Sequence, residues 1–443
     1  MESKATRRSF LTAVPVAGAV AASSAARASA EKPALLGGKP VRTQPFPSWP
    51  VFDQRDEQAL VEVVRSGHWF RGNGQCVRRF EEAYAKLTGA RYCLATSSGT
   101  GALQTSLGAL GVGPGDEVIL PPYTFVATLN VILNMHALPV FVDSDPETFQ
   151  IDASRIEAAI TDRTAAMIPV HYSGNAADLD TIMAVARKRR LHVVEDACQS
   201  HLAEWRGRKV GTYGTAGCFS FQATKHLNCG EGGAILANDE ELFEKCYAYH
   251  YNGTARRRGR IDLTDTLHGT KFLMTEFQAA ILLSQMPRLE EQARTREQNA
   301  QYLTSLLKEI PGILPLRMYE GCTRNAYHSY KFRYKKEQFA GLPRARFLKA
   351  LAAEGIPASS GYTPLNKRRY LKNALHSRGY ERIYPKELIA RLEERNQCPV
   401  NDQLCEEAVG MYQSVLLAGR GDMDQIAAAI RKLKAHAGEL ARA

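Results

Sequence analysis

No C-x-x-C pair occurs in this 443-residue chain, although it holds nine cysteines. They stand at 76, 93, 198, 218, 229, 246, 322, 398 and 405, an odd number without metal-ligand spacing. Neither a disulfide scaffold nor a metal site follows from them, and free thiols of this kind suit folding in a reducing compartment. No G-x-x-x-x-G-K-[S/T] segment occurs either, so a nucleotide P-loop is not supported. No internal repeat is evident. The apolar, alanine-rich stretch Leu11–Ala22 is too short and too weak for a stable membrane span.

What is present is ordinary globular material: 44% apolar and 23% charged residues, in a length that suggests two or three domains. The formal net charge is +11, and Ala255-Arg256-Arg257-Arg258-Gly259-Arg260 is strongly basic. One arginine run in a long chain reads as a solvated or subunit-facing loop, and nucleic-acid binding is the weakest reading. The first thirty residues differ. Thr6-Arg7-Arg8-Ser9-Phe10-Leu11 precedes the apolar stretch, and Ala28-Ser29-Ala30 offers small residues for cleavage. The arginine pair resembles a twin-arginine signal, which predicts export of the folded protein to the periplasm; cytoplasmic residence is the alternative.

Next, Leu35-Leu36-Gly37-Gly38-Lys39-Pro40 and the proline-rich segment to Pro50 read as an extended arm, not a packed element. Helical spacing follows from Arg55 to Val64 and from Val77 to Leu87, around a Gly67–Gly74 loop that could line a cleft or pack two helices. Short apolar strands then alternate with helices. The strands are Glu117–Leu120, Leu138–Phe141, Ala165–Val170, Leu191–Val194, Cys218–Phe221 and Ala234–Ala237. The helices are Gly101–Leu110, Phe125–Asn134, Ala153–Ala159, Ala177–Lys188 and Glu240–Tyr247. This alternation predicts an α/β domain on a mainly parallel sheet, with ligand groups at the strands' carboxyl ends. An amphipathic stretch from Thr275 to about Leu307 leads out of it, and Pro287 predicts a kink or restart. Beyond Pro311, a strand at Tyr327–Tyr334 and helices at Leu342–Glu354 and Met423–Ala435 make a smaller α/β domain. The division is leader 1–30, arm 31–54, large domain 55–290 and small C-terminal domain 291–443.

Lys225 follows the strand Cys218–Phe221 in a polar turn, just before Gly230-Glu231-Gly232-Gly233. A lysine desolvated at a sheet's end can become a nucleophile toward an aldehyde, although a lone loop lysine is more often a surface group. Asp196 closes another strand, where its carboxylate could pair with a protonated pyridine nitrogen, hold a metal or cap a turn. Ser97-Ser98-Gly99-Thr100-Gly101 joins hydroxyls and glycine at a helix start, as a phosphate site or a plain cap. Tyr123 or Phe125 could stack on a planar ring or belong to the core. His171 ends a strand and could face the same cleft.

These pieces together resemble the DegT/StrS-type family of pyridoxal-phosphate aminotransferases, which act on keto-sugars and cyclitols. The resemblance runs from Leu36-Gly37-Gly38-Lys39-Pro40 nearly to the C-terminus. It includes Ser98-Gly99-Thr100, Pro122-Tyr123-Thr124-Phe125, Val170-His171-Tyr172-Ser173-Gly174 and Glu195-Asp196-Ala197-Cys198-Gln199. It continues through the Phe219–Leu227 block and Met274-Thr275-Glu276-Phe277-Gln278-Ala279-Ala280.

The resemblance implies fold type I: a mainly parallel seven-stranded sheet in the large domain, with a small C-terminal α/β domain. Lys225 matches the Schiff-base lysine, Asp196 the partner of the pyridine nitrogen, and Gln199 a residue near the ring's phenolic oxygen. Ser98, Gly99, Thr100 and Ser220 match the phosphate site. Asn252 resembles an asparagine reaching the phosphate from a neighbouring subunit, with His250 as a competitor, so a homodimer with shared sites is implied. Tyr123 or Phe125 would cover a ring face. The implied reaction takes an amino group from glutamate or glutamine, through a Lys225 internal aldimine and a pyridoxamine form, to a keto-sugar or keto-cyclitol.

One branch of the family replaces the lysine with histidine and dehydrates its substrate. Here the lysine is intact and the histidine, His226, comes one place later, which favours transamination. A dehydratase or lyase on a ring ketone is the alternative, and a non-catalytic sugar-binding relative is a second. An iron–sulfur branch needs a cysteine cluster that Cys398 and Cys405 do not supply. Gly410-Met411-Tyr412-Gln413 departs from the family's usual tryptophan or leucine followed by proline. Ser359-Ser360-Gly361-Tyr362 resembles members acting on cyclitols.

Overall fold

The computed structural model describes residues 31–256 and 267–443. The expected leader 1–30 and Arg257–Arg260 of the basic run lie outside the described residues. Arg256 is within them, pairs with Glu244 and lies over the Phe243 ring.

The apolar runs do form strands, and a further strand joins them: β1 (Tyr92–Thr96), β2 (Glu117–Leu120), β3 (Leu138–Phe141), β4 (Thr164–Met167), β5 (His192–Asp196), β6 (Ala216–Ser220) and β7 (Gly233–Ala237). They make one sheet in the order β1-β7-β6-β5-β4-β2-β3. Neighbours pair in parallel from β6 to β3, and only β7 runs against both of its neighbours. Every residue of β2, β3, β6 and β7 is buried, because helices cover both sheet faces. That is why these strands read as continuous apolar runs without alternation. The Gly99–Ala109 helix begins two residues earlier than its apolar spacing indicates, since Ser98 caps it.

The expected break at Pro287 is absent. A single 33-residue helix, Glu276–Lys308, runs through it. Proline removes one backbone donor, but the helix is packed on both sides of it. Ala279, Leu282, Leu289 and Ala293 sit in a core beside β1 and β7, while Ala300, Leu303 and Leu307 enter a second core. Burial of that many apolar side chains outweighs one lost hydrogen bond.

The second core lies on one face of an antiparallel sheet of β8 (Ile313–Pro315), β9 (Ser329–Tyr334), β10 (Ser359–Ser360) and β11 (Ala408–Tyr412), ordered β8-β9-β11-β10. Helices Arg344–Ala353 and Arg420–Ala435 cover that face.

Two stretches depart from the expected division. The arm is packed: Leu35, Leu36, Val41 and Phe46 lie on the second core. The buried Glu354 carboxylate accepts from Ala34 N–H, Val41 N–H and Lys432 Nζ at 2.8, 2.9 and 3.0 Å, which fixes the arm's backbone. Between β10 and β11 the chain also returns to the large domain. Leu365, Leu371, Leu375, Tyr380, Tyr384, Ile389 and Leu392 belong to the core under β2 and β3. There the Tyr380 and Tyr384 hydroxyls donate to Ala137 O (2.9 Å) and His136 O (2.6 Å), and Asn396 bonds both Pro139 O and Phe141 N–H at 2.9 Å.

Among the described residues, no helix is long and apolar enough to cross a membrane, and no group of three or more His, Cys, Asp or Glu could hold a metal.

Candidate active site

β1, β4, β5 and β6 all deliver their carboxyl ends to one edge of the sheet, the place where such folds bind ligands. Lys225 lies just beyond β6 in a turn whose polar backbone is tied down on all sides. Lys225 N–H donates to Gln222 O at 2.8 Å, and Ala223 N–H to Gly230 O at 2.8 Å. The Trp49 indole donates to Ala223 O at 3.0 Å, Tyr412 hydroxyl to Thr224 O at 2.8 Å, and Asn228 to Lys225 O at 3.2 Å. The arm, the large domain and β11 thus hold one turn together. Burial lowers the Lys225 amine below the ordinary lysine range, while Cys198, Asp196 and Glu231 pull it back up. The adjacent His226 is buried against His201 and His328, with ring centroids 6.0 and 5.7 Å away.

Asp196 ends β5 and is 6% exposed. Its Oδ2 accepts from the Thr128 hydroxyl at 2.8 Å and its Oδ1 from Cys198 N–H at 3.2 Å. Two donors fix the carboxylate's plane and leave acceptor positions for a ring N–H.

Across β6 stands the start of the Gly99–Ala109 helix. The Ser98 hydroxyl caps it by accepting from Gly101 N–H at 3.0 Å. The Gly99 and Thr100 N–H groups head the helix with no intrahelical acceptor, at the end where the helix dipole favours an anion. A Cβ on Gly99 would lie 2.8 Å from both Cys198 Sγ and Ser220 Cβ. The glycine therefore lets the helix start close against the β5 and β6 ends. Ser220 is nearly buried, and its Oγ accepts from Gln222 N–H at 3.3 Å.

Gln199 accepts from Ser173 N–H at 2.8 Å and donates to the Tyr362 hydroxyl at 3.3 Å. Tyr123 corrects one expectation. It is fully buried among Phe149, Tyr172 and Tyr362, and its hydroxyl accepts from Tyr362 N–H at 3.3 Å. With no accessible surface it cannot stack on a ligand; it buttresses Tyr362 instead. Phe125 is 55% exposed at the start of the Val126–Asn134 helix, one turn before Thr128, and keeps a free ring. His171 is a satisfied core residue: Nδ1 accepts from Ala177 N–H at 3.1 Å, so its proton sits on Nε2 and faces Glu195 at 2.9 Å. His250 is likewise buried, between Tyr247 O and Arg71. Asn252 is exposed in a left-handed turn after the Glu240–His250 helix, with its N–H on Thr270 O at 3.0 Å. Among the described residues, no hydrogen bond joins it to Lys225.

A sequence profile of the DegT/DnrJ/EryC1/StrS aminotransferase family matches residues 50–417. The chain belongs to this family. It is similar to L-glutamine:2-deoxy-scyllo-inosose aminotransferase of Streptoalloteichus tenebrarius, with 38% identity over 92% of this chain and 98% of the relative. L-glutamine:scyllo-inosose aminotransferase of Streptomyces griseus is 35% identical over 92% of this chain and 99% of its own length. Among solved structures, 3-amino-5-hydroxybenzoic acid synthase superposes with a TM-score of 0.78 at 30% identity, covering 88% of this chain and 99% of that one. The protein is a pyridoxal-phosphate-dependent aminotransferase.

The residues present fit that cofactor. The helix start that Gly99 lets approach the β5 and β6 ends presents two N–H groups without an intrahelical acceptor beside Ser220, and Asp196 and Lys225 stand at the neighbouring strand ends. In this aminotransferase several supporting residues carry no isolated sequence signal. Thr128 lies one helical turn after Thr124, and that spacing is the one hint of its role. Trp49, Tyr412 and Tyr362 reach the site only through tertiary packing.

Proposed function

We propose that this aminotransferase moves the amino group of L-glutamine or glutamate to the carbonyl of a cyclic polyhydroxy ketone of the keto-cyclitol or keto-sugar class. The observation that carries the acceptor class is the cleft beside Gln199. The hydroxyl-bearing residues Tyr172, Ser329, Ser359, Ser360, Tyr362 and Tyr412 line it with Lys331, and no carboxylate is among its walls. Hydroxyl side chains exchange hydrogen bonds readily with a polyol. The relatives' activities toward inososes support the same class.

Pyridoxal phosphate, when bound, supplies an aldehyde for the amine and a conjugated ring that takes up the electron pair released at the α-carbon. The Gly99 and Thr100 N–H groups and Ser220 hold its phosphate, which fixes the reacting bonds relative to Lys225. Asp196, oriented by Thr128, keeps the pyridine nitrogen protonated. With the cofactor bound, the Lys225 amine would take up the proton of the donor α-carbon and hold it for return within the same cleft. It returns a proton in the reverse sense when the ketone is aminated. Its burial-lowered basicity suits both directions.

Asn252 at the surface supports a homodimer in which a second copy completes each phosphate site. The Arg7-Arg8 segment, which resembles a twin-arginine signal, supports export after folding, a route compatible with nine free cysteines. The test of the reaction is a screen of half-reactions with amino donors and cyclic ketones, with the product weighed by mass spectrometry. Nitrogen incorporation is expected. Loss of water without nitrogen gain would replace amination by elimination.

A further inference from the structure

Residues alternate along β9. Tyr330, Phe332 and Tyr334 enter the second core, and Ser329, Lys331 and Arg333 face the other way. Two of these three are accounted for. Ser329 meets the Ser173 hydroxyl, which lies 2.6 Å from its carbonyl and 2.8 Å from its Oγ. Arg333 binds Glu407 at 2.6 Å and Pro146 O at 3.2 Å. Among the described residues, the Lys331 ammonium has no hydrogen-bond or ion-pair partner.

A glycine sets its course. Lys331 pairs with Gly410 on β11, and Gly410 with Ser359 on β10. Directly opposed residues of antiparallel strands share a face. A Cβ on Gly410 would collide with Lys331 Nζ and lie 2.7 Å from its Cδ and Cε. The lysine chain therefore lies across the bare strand toward Ser359. There it lines the cleft of about 250 Å³ together with Tyr172, Gln199, His328, Tyr362 and Tyr412.

A half-buried ammonium in a cleft without a carboxylate calls for an anion from outside. Burial alone draws Lys331 down to about 8, and a bound anion would restore it. The titratable groups lining this cleft with it are His328, Tyr172, Tyr362 and Tyr412, none of which is an anion at neutral pH; a neighbouring pocket that Lys331 also borders holds Lys308, Tyr327, Tyr330, Arg333 and Glu147, whose carboxylate is taken by Arg317 at 2.7 Å. Of the two substrates of the reaction above, the amino acid always brings a carboxylate, whereas a cyclic polyhydroxy ketone is neutral.

We propose that Lys331, laid over Gly410, binds the α-carboxylate of the amino donor. This assignment rests on the aminotransferase reading and names the donor subsite within it. Ketone hydroxyls need no cation and have Ser359 and Ser360 for partners.

The test uses holoenzyme and follows the cofactor's absorbance in each half-reaction. Donors are L-glutamine and its α-carboxamide, L-glutaminamide. Lys331→Met keeps the aliphatic chain over Gly410 and removes the charge; Gly410→Ala keeps the charge and displaces the chain. Wild-type enzyme should bind L-glutamine at least about tenfold better than the amide. Both variants should hold the cofactor with an unchanged spectrum and lose that preference to within about twofold. A preference that survives Lys331→Met, or a loss confined to the ketone half-reaction, overturns the assignment. Wild-type enzyme inert to every amino donor would overturn the aminotransferase reading itself, and the assignment with it.

Discussion

Thr128 donates its hydroxyl hydrogen to Asp196 Oδ2 over 2.8 Å, and the Thr124 hydroxyl stands 2.9 Å behind it. Since Thr128 spends its only hydrogen on Asp196, Thr124 must donate to Thr128. A two-hydroxyl relay thus fixes the carboxylate that faces the ring nitrogen. Thr128→Val removes the donor with little change of volume. A hydrogen bond to a charged group contributes about 1.5–3 kcal/mol, so kcat should fall roughly 10- to 100-fold with the cofactor still bound. Steady-state kinetics beside an absorbance spectrum check this; unchanged kcat would remove Thr128 from the site.

Lys225→Ala should abolish both turnover and the visible band of the covalently held cofactor. An unchanged band would show that another amine holds it.

The Tyr412 hydroxyl reaches from β11 to Thr224 O, beside Lys225. Tyr412→Phe should cost about 1 kcal/mol of stability and lower kcat more than it changes the KM for the donor. Denaturant melts and initial rates separate the two effects. A change in KM alone would mean that Tyr412 meets substrate and does not brace the turn.

Mixing two inactive variants, Asn252→Ala and Lys225→Ala, tests completion of one copy's site by another. Random pairing places one intact site in each hybrid dimer, so about a quarter of wild-type activity should return. No recovery, with hybrid dimers demonstrated by mass, would restrict each site to a single chain.

Burial pushes His201 down to about 4 and His250 down to about 3. In the unfolded chain both take up protons near the ordinary value of about 6.5. Folded protein therefore binds fewer protons than unfolded protein between those limits. The stability contributed by these residues is complete above about pH 6.5 and is lost as pH falls toward 4 and below. The melting temperature should drop across that window. A flat profile would mean that neither histidine stays neutral in the fold.

The six expected strands and most helices were legible because sheet strands covered on both faces must be apolar throughout. β1 escaped because Tyr92–Thr96 carries no Val, Ile or Phe and closes on a polar threonine. Lys225 and Asp196 stood out by their place at strand ends and the Ser98–Thr100 loop by its place at a helix start, while Gln199 came from the family resemblance. Tyr123 was misjudged because sequence places an aromatic near a site without showing whether its faces are free. Pro287 misled for a related reason: local propensity says nothing of the two cores gripping that helix. Thr128, Trp49 and Lys331 act through contacts with residues far away in sequence, and only the folded chain brings those together.

The return of residues 365–398 to the large core, between β10 and β11, stitches the acceptor wall to the sheet that carries Lys225. The two units are also joined by the long helix and by Trp49. The C-terminal unit is thus fastened to the large one at three points. On the proposed reading, selectivity among acceptors is set by the outline of that wall, and redirecting this enzyme means recutting that outline residue by residue.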